Sequence, residues 1–338
     1  MFGNILRSQE RPDFLWKPQK YIALGVKIGI KARRQVNLGE KLLCNCPVTG
    51  PVPDYDVEIS RHLRSAAADP STSAPPENNR FYKEVIYRFS RKTACTYEMD
   101  DSPPIRLNLP VLSGAKALAR SIGCNIPAIT WMMREQMLDG SIPSGFQRSM
   151  LIGWGCGLPF LKNRLGIQRV TLAEDTARLV GDSSERLVFM TDRLGVPLLV
   201  ITTYPNLHTP EDAAAAARLL RMITSAMPGA MHDNPALRFD IRVSIKGGAF
   251  VDILGLETIN HLVHAVHHEI VRQSNLAKLP AKSDSPLKLP ETDMPAVRLD
   301  QVLPEPQKPD MPWDYARAME KKGLPLKDIR TMLEHRWP

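Results

Sequence analysis

The sequence predicts an α/β fold, α+β in arrangement: a mainly antiparallel sheet with packed helices, followed by an extended Pro-rich arm. Two observations carry this. Residues 192–273 read in order as strand, helix, strand pair, helix, and the strand pair is joined by Lys246-Gly247-Gly248. Glycines supply the positive φ of a tight hairpin, so strands at 239–245 and 249–254 pair antiparallel.

Composition bounds the class. The chain has 338 residues, enough for one large core or two modest ones, and 43% of them are hydrophobic. No apolar run approaches the ~18 residues that span a bilayer, so no membrane span is expected. A net charge of +8 favours an anionic partner such as RNA through counterion release, or a basic compartment such as a mitochondrion. Five cysteines without regular spacing argue against a disulfide-stapled secreted domain and for a reducing interior.

Taken in order, residues 1–20 form a basic tail or presequence remnant carrying Phe2, Ile5, Leu6, Phe14 and Leu15. Glu10 and Asp13 interrupt it, and organelle-targeting segments avoid acids. From Tyr21 onward, Ile22, Leu24, Val26, Ile28 and Ile30 alternate as in a half-buried strand with Lys27 on the other face. Cys44-Asn45-Cys46 is half of a zinc knuckle. A four-ligand thiolate site needs a second pair. None stands near Met99–Ser102; Cys95 and Cys124 lie within reach of the fold, but idle or buried thiols and no metal are expected. Residues 64–79 are small, polar and Pro-rich, a flexible insert. RFYKEVIYRFSRK after them alternates aromatics with basic residues, an amphipathic edge strand or else an RNA-facing one. Residues 109–124 read as a turn and an amphipathic helix.

Residues 197–203 read as a buried strand, and the helix after it opens at Thr209-Pro210-Glu211-Asp212: a Thr cap, Pro at the first position and acids in the first turn. In the last helix of the unit Ile259, Leu262, Val263, Val266 and Ile270 share a face. His261, His264 and His268 lie opposite. Their spacing permits metal ligation, but no carboxylate or cysteine accompanies them, and a polar stripe facing solvent or a partner is expected. Residues 276–312 are a Pro- and Lys-rich extended linker, and 313–338 carry short helices separated by Lys322-Gly323-Leu324-Pro325.

Seven stretches in order resemble the B-type (GatB) subunit of the tRNA-dependent Glu-tRNA(Gln)/Asp-tRNA(Asn) amidotransferases, which convert Glu-tRNA(Gln) to Gln-tRNA(Gln). IPSGFQRS is similar to the family's LPKGYQIS, and GIQRVTLAEDTARL to GITRLHMEEDAGKL. VPLLVITTYPNLHTPEDA matches TPLIEIVSEPDIRSPEEA, and LRFDIRVSIK matches LRCDVNVSVR. VDILGLETI with HEIVRQ parallels VEIKNLNSF with YEIERQ, and LPEPQKPDMPW parallels FPEPD-PPL. The resemblance implies the family's cradle fold over residues 21–275. It also implies a site where carboxylates hold Mg²⁺ and ATP for phosphoryl transfer.

Position by position, most of those groups are replaced. The Glu and His of the opening VIGLEVHVEL become Gly25 and Lys27 when aligned from Tyr21. The His and first Glu of LHMEED become Thr171 and Ala173, the Glu residues of IEIV and SEPD become Val200 and Tyr204, and the Lys of VEIKN becomes Leu254. Glu174, Asp175, Arg238, Asp240 and Ser244 are retained. Glu174 and Asp175 are adjacent, so they point to opposite faces of a strand and a solvated strand end is expected for them. Arg238 and Asp240 share a face and could pair with each other. Many family members carry a C-x-x-C about 20 residues after a C-x-C, absent here, and the family's helical and tail domains that grip tRNA are also absent. The sequence therefore implies a truncated, catalytically inert relative in the mitochondrial matrix. It would contact rRNA or tRNA and proteins of a translation assembly such as a mitochondrial ribosome, and need no cofactor. The alternative is a working B-type subunit that uses ATP and Mg²⁺ beside an amidase (GatA) and a small linker protein (GatC).

Overall fold

The computed structural model describes Leu6 and residues 11–62, 83–276, 288–302 and 309–337, apart from positions 53, 138, 162 and 234. The insert at 64–79 lies outside them.

The framework is an eight-stranded sheet built from β1 (Lys27–Gln35), β5 (Met132–Gln136), β6 (Phe146–Phe160), β7 (Asn163–Glu174), β10 (Pro197–Thr203), β11 (Leu237–Ser244), β12 (Val251–Leu256) and β13 (Lys288–Pro290). Their order across the sheet is β12-β11-β1-β10-β7-β6-β5-β13, antiparallel throughout. A four-stranded sheet comprises β2 (Val57–His62), β3 (Glu84–Phe89), β8 (Arg178–Asp182) and β9 (Arg186–Met190). Two short strands, β4 (Ile129–Thr130) and β14 (Val297–Arg298), pair separately.

One face of the large sheet is the core. Ile28, Ile30, Ala32, Leu199, Ile201, Phe239, Ile241 and Val243 pack against α2 (Leu109–Ser121), α3 (Pro210–Ser225) and α4 (Ile259–Asn275). The buried run Ala213 to Ala217 brings α3 close to the strands, because alanine adds no side chain beyond Cβ. Thr209 accepts the amide of Asp212 at 3.0 Å, so the expected cap is present. Burying each Leu or Ile of this face contributes about 1.5–3 kcal/mol, which makes the helix-covered side the element least tolerant of change.

Four expectations are corrected. Residues 18–23 form α1 (Pro18–Ala23) rather than the start of a strand; Gly25, at φ +62°, turns the chain into β1 at Lys27. The helical Pro at its first position and the Gly turn outweigh an alternation that a single amphipathic turn also satisfies. β3 is internal, flanked by β2 and by a parallel partner, β9, so its alternation reflects two packed neighbours and not a sheet edge. The basic tail is partly docked: Phe14 stacks on His264 at 4.2 Å, and Tyr21 hydrogen-bonds buried His267 at 2.7 Å. Cys124 and Cys156 are joined in a disulfide, contrary to the expected free thiols, because the Asn125–Trp154 bridge sets their backbones side by side.

The extended arm contributes β13 to the large sheet through β5. The closing helices, α5 (Pro312–Lys321) and α6 (Leu326–Arg336), bury Ala316, Ile329 and Leu333 in the main core.

Candidate functional site

The face of the large sheet turned away from α2, α3 and α4 carries the family-matched positions. Direct cross-strand partners share a face, so the register orders them in transverse rows. One row runs Arg238, Arg33, Val200, Thr171. The next runs Asp240, Lys31, Thr202, Arg169. On the other side of the first row, Gln35, Leu198 and Ala173 align.

Ala173, Leu198 and Val200 form a small buried apolar cluster of their own. Two of these three stand where the resemblance places carboxylates. An alkyl cluster offers no oxygen for a hard cation and excludes the water that Mg²⁺ retains. Thr171 borders it, half-buried.

The retained acids are buried and occupied, not solvated as expected. Glu174 is 4% exposed and Asp175 1%. They do point apart. Glu174 accepts from the Tyr97 hydroxyl, to which Arg148 donates at 3.0 Å, while Arg148 also donates to Glu291 at 2.6 Å. Burial raises the pKa of the Glu174 carboxyl above its ordinary value, against the pull of Arg148. Asp175 takes Arg238 Nη2 on both oxygens at 2.7 Å, Gln35 Nε2 at 2.6 Å and the Thr176 amide at 2.8 Å. Those donors use the lone pairs that a metal would need.

Arg238 and Asp240 do not pair with each other. Two residues apart on one strand, they are drawn to different neighbours: Arg238 to Asp175, and Asp240 to Arg33 at 2.7 Å. Ser244 is buried opposite Lys27. Tyr204 and Leu254 are exposed, Leu254 at 69%. Gly25 lies outside the sheet, and Lys27 is at its far end, exposed. The segment facing Thr171 and Val200 is Gly29-Ile30-Lys31-Ala32-Arg33, which fits G-L-E-V-H of the opening motif with its glycine in place. Alternation is satisfied by either alignment, and the helix at 18–23 is what selects this one. In this register, Lys31 and Arg33 occupy the Glu and His positions.

A second constellation was missed. Cys44, Cys46, Cys95 and Glu98 present ligand atoms that all lie within 4.8 Å of one another. A zinc tetrahedron with Zn–S near 2.3 Å has edges of about 3.8 Å, so a small contraction would close it. Cys95-Thr96-Tyr97-Glu98 thus takes the place of the missing C-x-x-C, with a carboxylate for the last thiol. A search for cysteine pairs passes over it; a search for C-x-x followed by any soft or acidic ligand would find it. Lys41 Nζ sits 2.9 Å from both Glu98 oxygens and 2.8 Å from the Thr93 carbonyl, fully buried. That is the outer hydrogen bond that would orient Glu98 as a ligand. Burial raises the Glu98 carboxyl to about 7, opposed by Lys41. Hydrogen bonds from Cys44 and Cys46 hold the Cys95 thiol below its ordinary range. Four protein donors leave no open position, so zinc here would tie the 41–46 segment to the 95–98 turn and offer no Lewis-acid site to a substrate. Gly195, at φ +76°, lies between this centre and Glu174; an added Cβ would meet Lys41 at 3.4 Å and Glu98 and Glu174 at 3.9 Å.

His261, His264 and His268 are exposed as expected, with His264 and His268 facing Phe14. Among the described residues no carboxylate or cysteine joins them in a metal-sized cluster. No helix is long and apolar enough to cross a membrane, again among the described residues.

The model of the GatB/GatE catalytic domain matches residues 26–332. The E-type subunit of the glutamyl-tRNA(Gln) amidotransferase of Methanocaldococcus jannaschii is 33% identical over 266 residues, covering 77% of this chain and 41% of that protein. Its counterpart from Pyrobaculum aerophilum is 33% identical over 264 residues, covering 77% and 43%. The chain therefore spans less than half the length of these relatives. A family model that spans most of the chain and relatives 33% identical over 77% of it agree: the chain belongs to the GatB/GatE family.

Proposed function

We propose that this protein keeps the family's cradle without its phosphoryl-transfer chemistry, and serves as a structural and RNA-contacting component of a mitochondrial translation assembly. The observation that carries this reading is the apolar cluster of Ala173, Leu198 and Val200, together with Asp175 saturated by Arg238 and Gln35. Lys31 and Arg33 add positive charge where the family has a Glu and a His, and a lysine has no lone pair for Mg²⁺ at neutral pH. Mg²⁺ therefore has no seat on this sheet face, and ATP none that depends on a metal. The fold survives because core exchanges of similar volume cost little, usually under ~1.5 kcal/mol, whereas a lost ligand removes a metal site.

The RNA contact rests on the net charge of +8 and on exposed Trp131 and Trp154, the latter paired across strands with Arg169. The mitochondrial setting rests on the family's role in translation and on the basic composition. The test is to supply the purified chain with the amidase and small linker proteins, Glu-tRNA(Gln), ATP and glutamine. No Gln-tRNA(Gln) is expected; turnover overturns the reading. Affinity purification from mitochondria should recover ribosomal or other translation proteins, and recovery of the amidase and its linker alone would favour a working enzyme.

A further inference from the structure

On the sheet face turned away from α2, α3 and α4 each acid is already committed. Asp240 takes Arg33 on one oxygen and the Gly255 amide, at 3.1 Å, on the other. Asp175 takes Arg238, and Asp252 takes Arg242 through both oxygens at 2.7 Å. Two cations in this region are left over. Among the described residues, neither Lys31 nor Arg169 has a hydrogen bond or ion pair, although Asp240, Glu135, Arg33 and Arg169 all act on Lys31 through space.

The two flank Thr202, whose hydroxyl is shielded from solvent and has no hydrogen-bond partner. Neighbouring strands lie about 4.8 Å apart, so Lys31 and Arg169 stand about 10 Å apart at the backbone with the orphan hydroxyl midway. This is an unfavourable arrangement for a solvated surface. Like charges in one row repel, and a buried hydroxyl without a partner loses its hydration for nothing. Burial is the main reason the Lys31 ammonium titrates below its ordinary range, with Arg33 next.

We propose that Lys31, Thr202 and Arg169 form a binding site for a phosphoryl oxyanion that requires no divalent cation. An ammonium on one side, a guanidinium fork on the other and a hydroxyl between them present donors along three directions, which suits a tetrahedral anion better than a planar carboxylate. A dianion also matches the two unmatched charges. The site goes beyond the inert reading above and does not depend on it: turnover of Glu-tRNA(Gln) would remove that reading, whereas the site stands or falls on metal-free binding.

The test uses the full chain in EDTA, titrated calorimetrically with inorganic phosphate and with pyrophosphate. Saturable one-to-one binding is expected, unchanged when Mg²⁺ replaces EDTA and accompanied by a rise in Tm. Lys31→Met with Arg169→Gln should weaken it at least ~10-fold, and the near-isosteric Thr202→Val several-fold; Arg242→Gln, off the row, should leave it unchanged. The Tm of each variant without ligand is recorded, and Thr202→Val alone decides the matter if the double variant fails to fold. No binding at millimolar phosphate, binding that requires Mg²⁺, or binding indifferent to these substitutions overturns the site. Competition by a trinucleotide RNA with a terminal phosphate, set against the same RNA without it, then separates an RNA source of the phosphoryl group from a small-molecule source.

Discussion

The thiolate centre and the sheet face have met opposite fates in one chain. At the centre, Cys44, Cys46 and Cys95 survive and Glu98 supplies the fourth donor, held by buried Lys41. On the face, Ala173 and Val200 are alkyl, Thr171 is neutral, and Lys31 and Arg33 reverse the charge. With zinc bound, a closed four-donor centre would stabilise folding in its own right, and its loss would destabilise the structure around it. The sheet face carries only the small cluster of Ala173, Leu198 and Val200, whereas the opposite face holds the main core. Chemistry can leave the former while the architecture remains.

That contrast can be broken most forcefully at the centre. The purified chain should carry about one zinc, and Cys44→Ser with Cys95→Ser should release it and lower Tm by ~10 °C or more. Elemental analysis beside calorimetry checks this; a chain that is metal-free and equally stable would make the two regions alike. The next largest effect lies at Asp175. Asp175→Asn strands the partly buried Arg238 and should cost about 3–5 kcal/mol in urea unfolding, whereas Asp175→Asn with Arg238→Met should recover most of it. Equal losses in the single and double variants would show that the carboxylate does more than neutralise its arginine.

A smaller effect concerns the docked N-terminal segment. Burial, with His268 and His264 adding repulsion, lowers the pKa of His267 below 6.5; Glu211 opposes this and Lys20 assists it. The unfolded chain then binds the extra proton first as pH falls, so stability is full above 6.5 and declines below it. Between pH 7.5 and 5.5 the wild type should lose about 2–4 °C more in Tm than His267→Gln. Parallel pH profiles would remove His267 from the account.

Much of the fold was legible. The strand at 197–203, the capped helix after it, the Gly-Gly hairpin and the apolar stripe of the last helix are local signals, and each appears where periodicity and turn chemistry place it. Of the positions the resemblance singled out, Thr171, Ala173 and Val200 fall on one sheet face, whereas Tyr204 and Leu254 are exposed. What escaped depends on distance along the chain. Asp175 finds Arg238 across 63 residues, and Cys44 finds Glu98 across 54. Neither pairing leaves a spacing signal. The first strand was misplaced because alternation does not say where a strand begins; Pro18 and Gly25 do, and they move the critical positions from Gly25 and Lys27 to Lys31 and Arg33.

The most direct measurement is ATP binding by the full chain with and without Mg²⁺. Metal-free nucleotide can touch Lys31 and Arg169 through its phosphates, but with Asp175 and Asp240 already held by Arg238 and Arg33, Mg²⁺ should give no gain in affinity. A tenfold or greater tightening on adding Mg²⁺, abolished by Asp175→Asn or Asp240→Asn, would contradict the account.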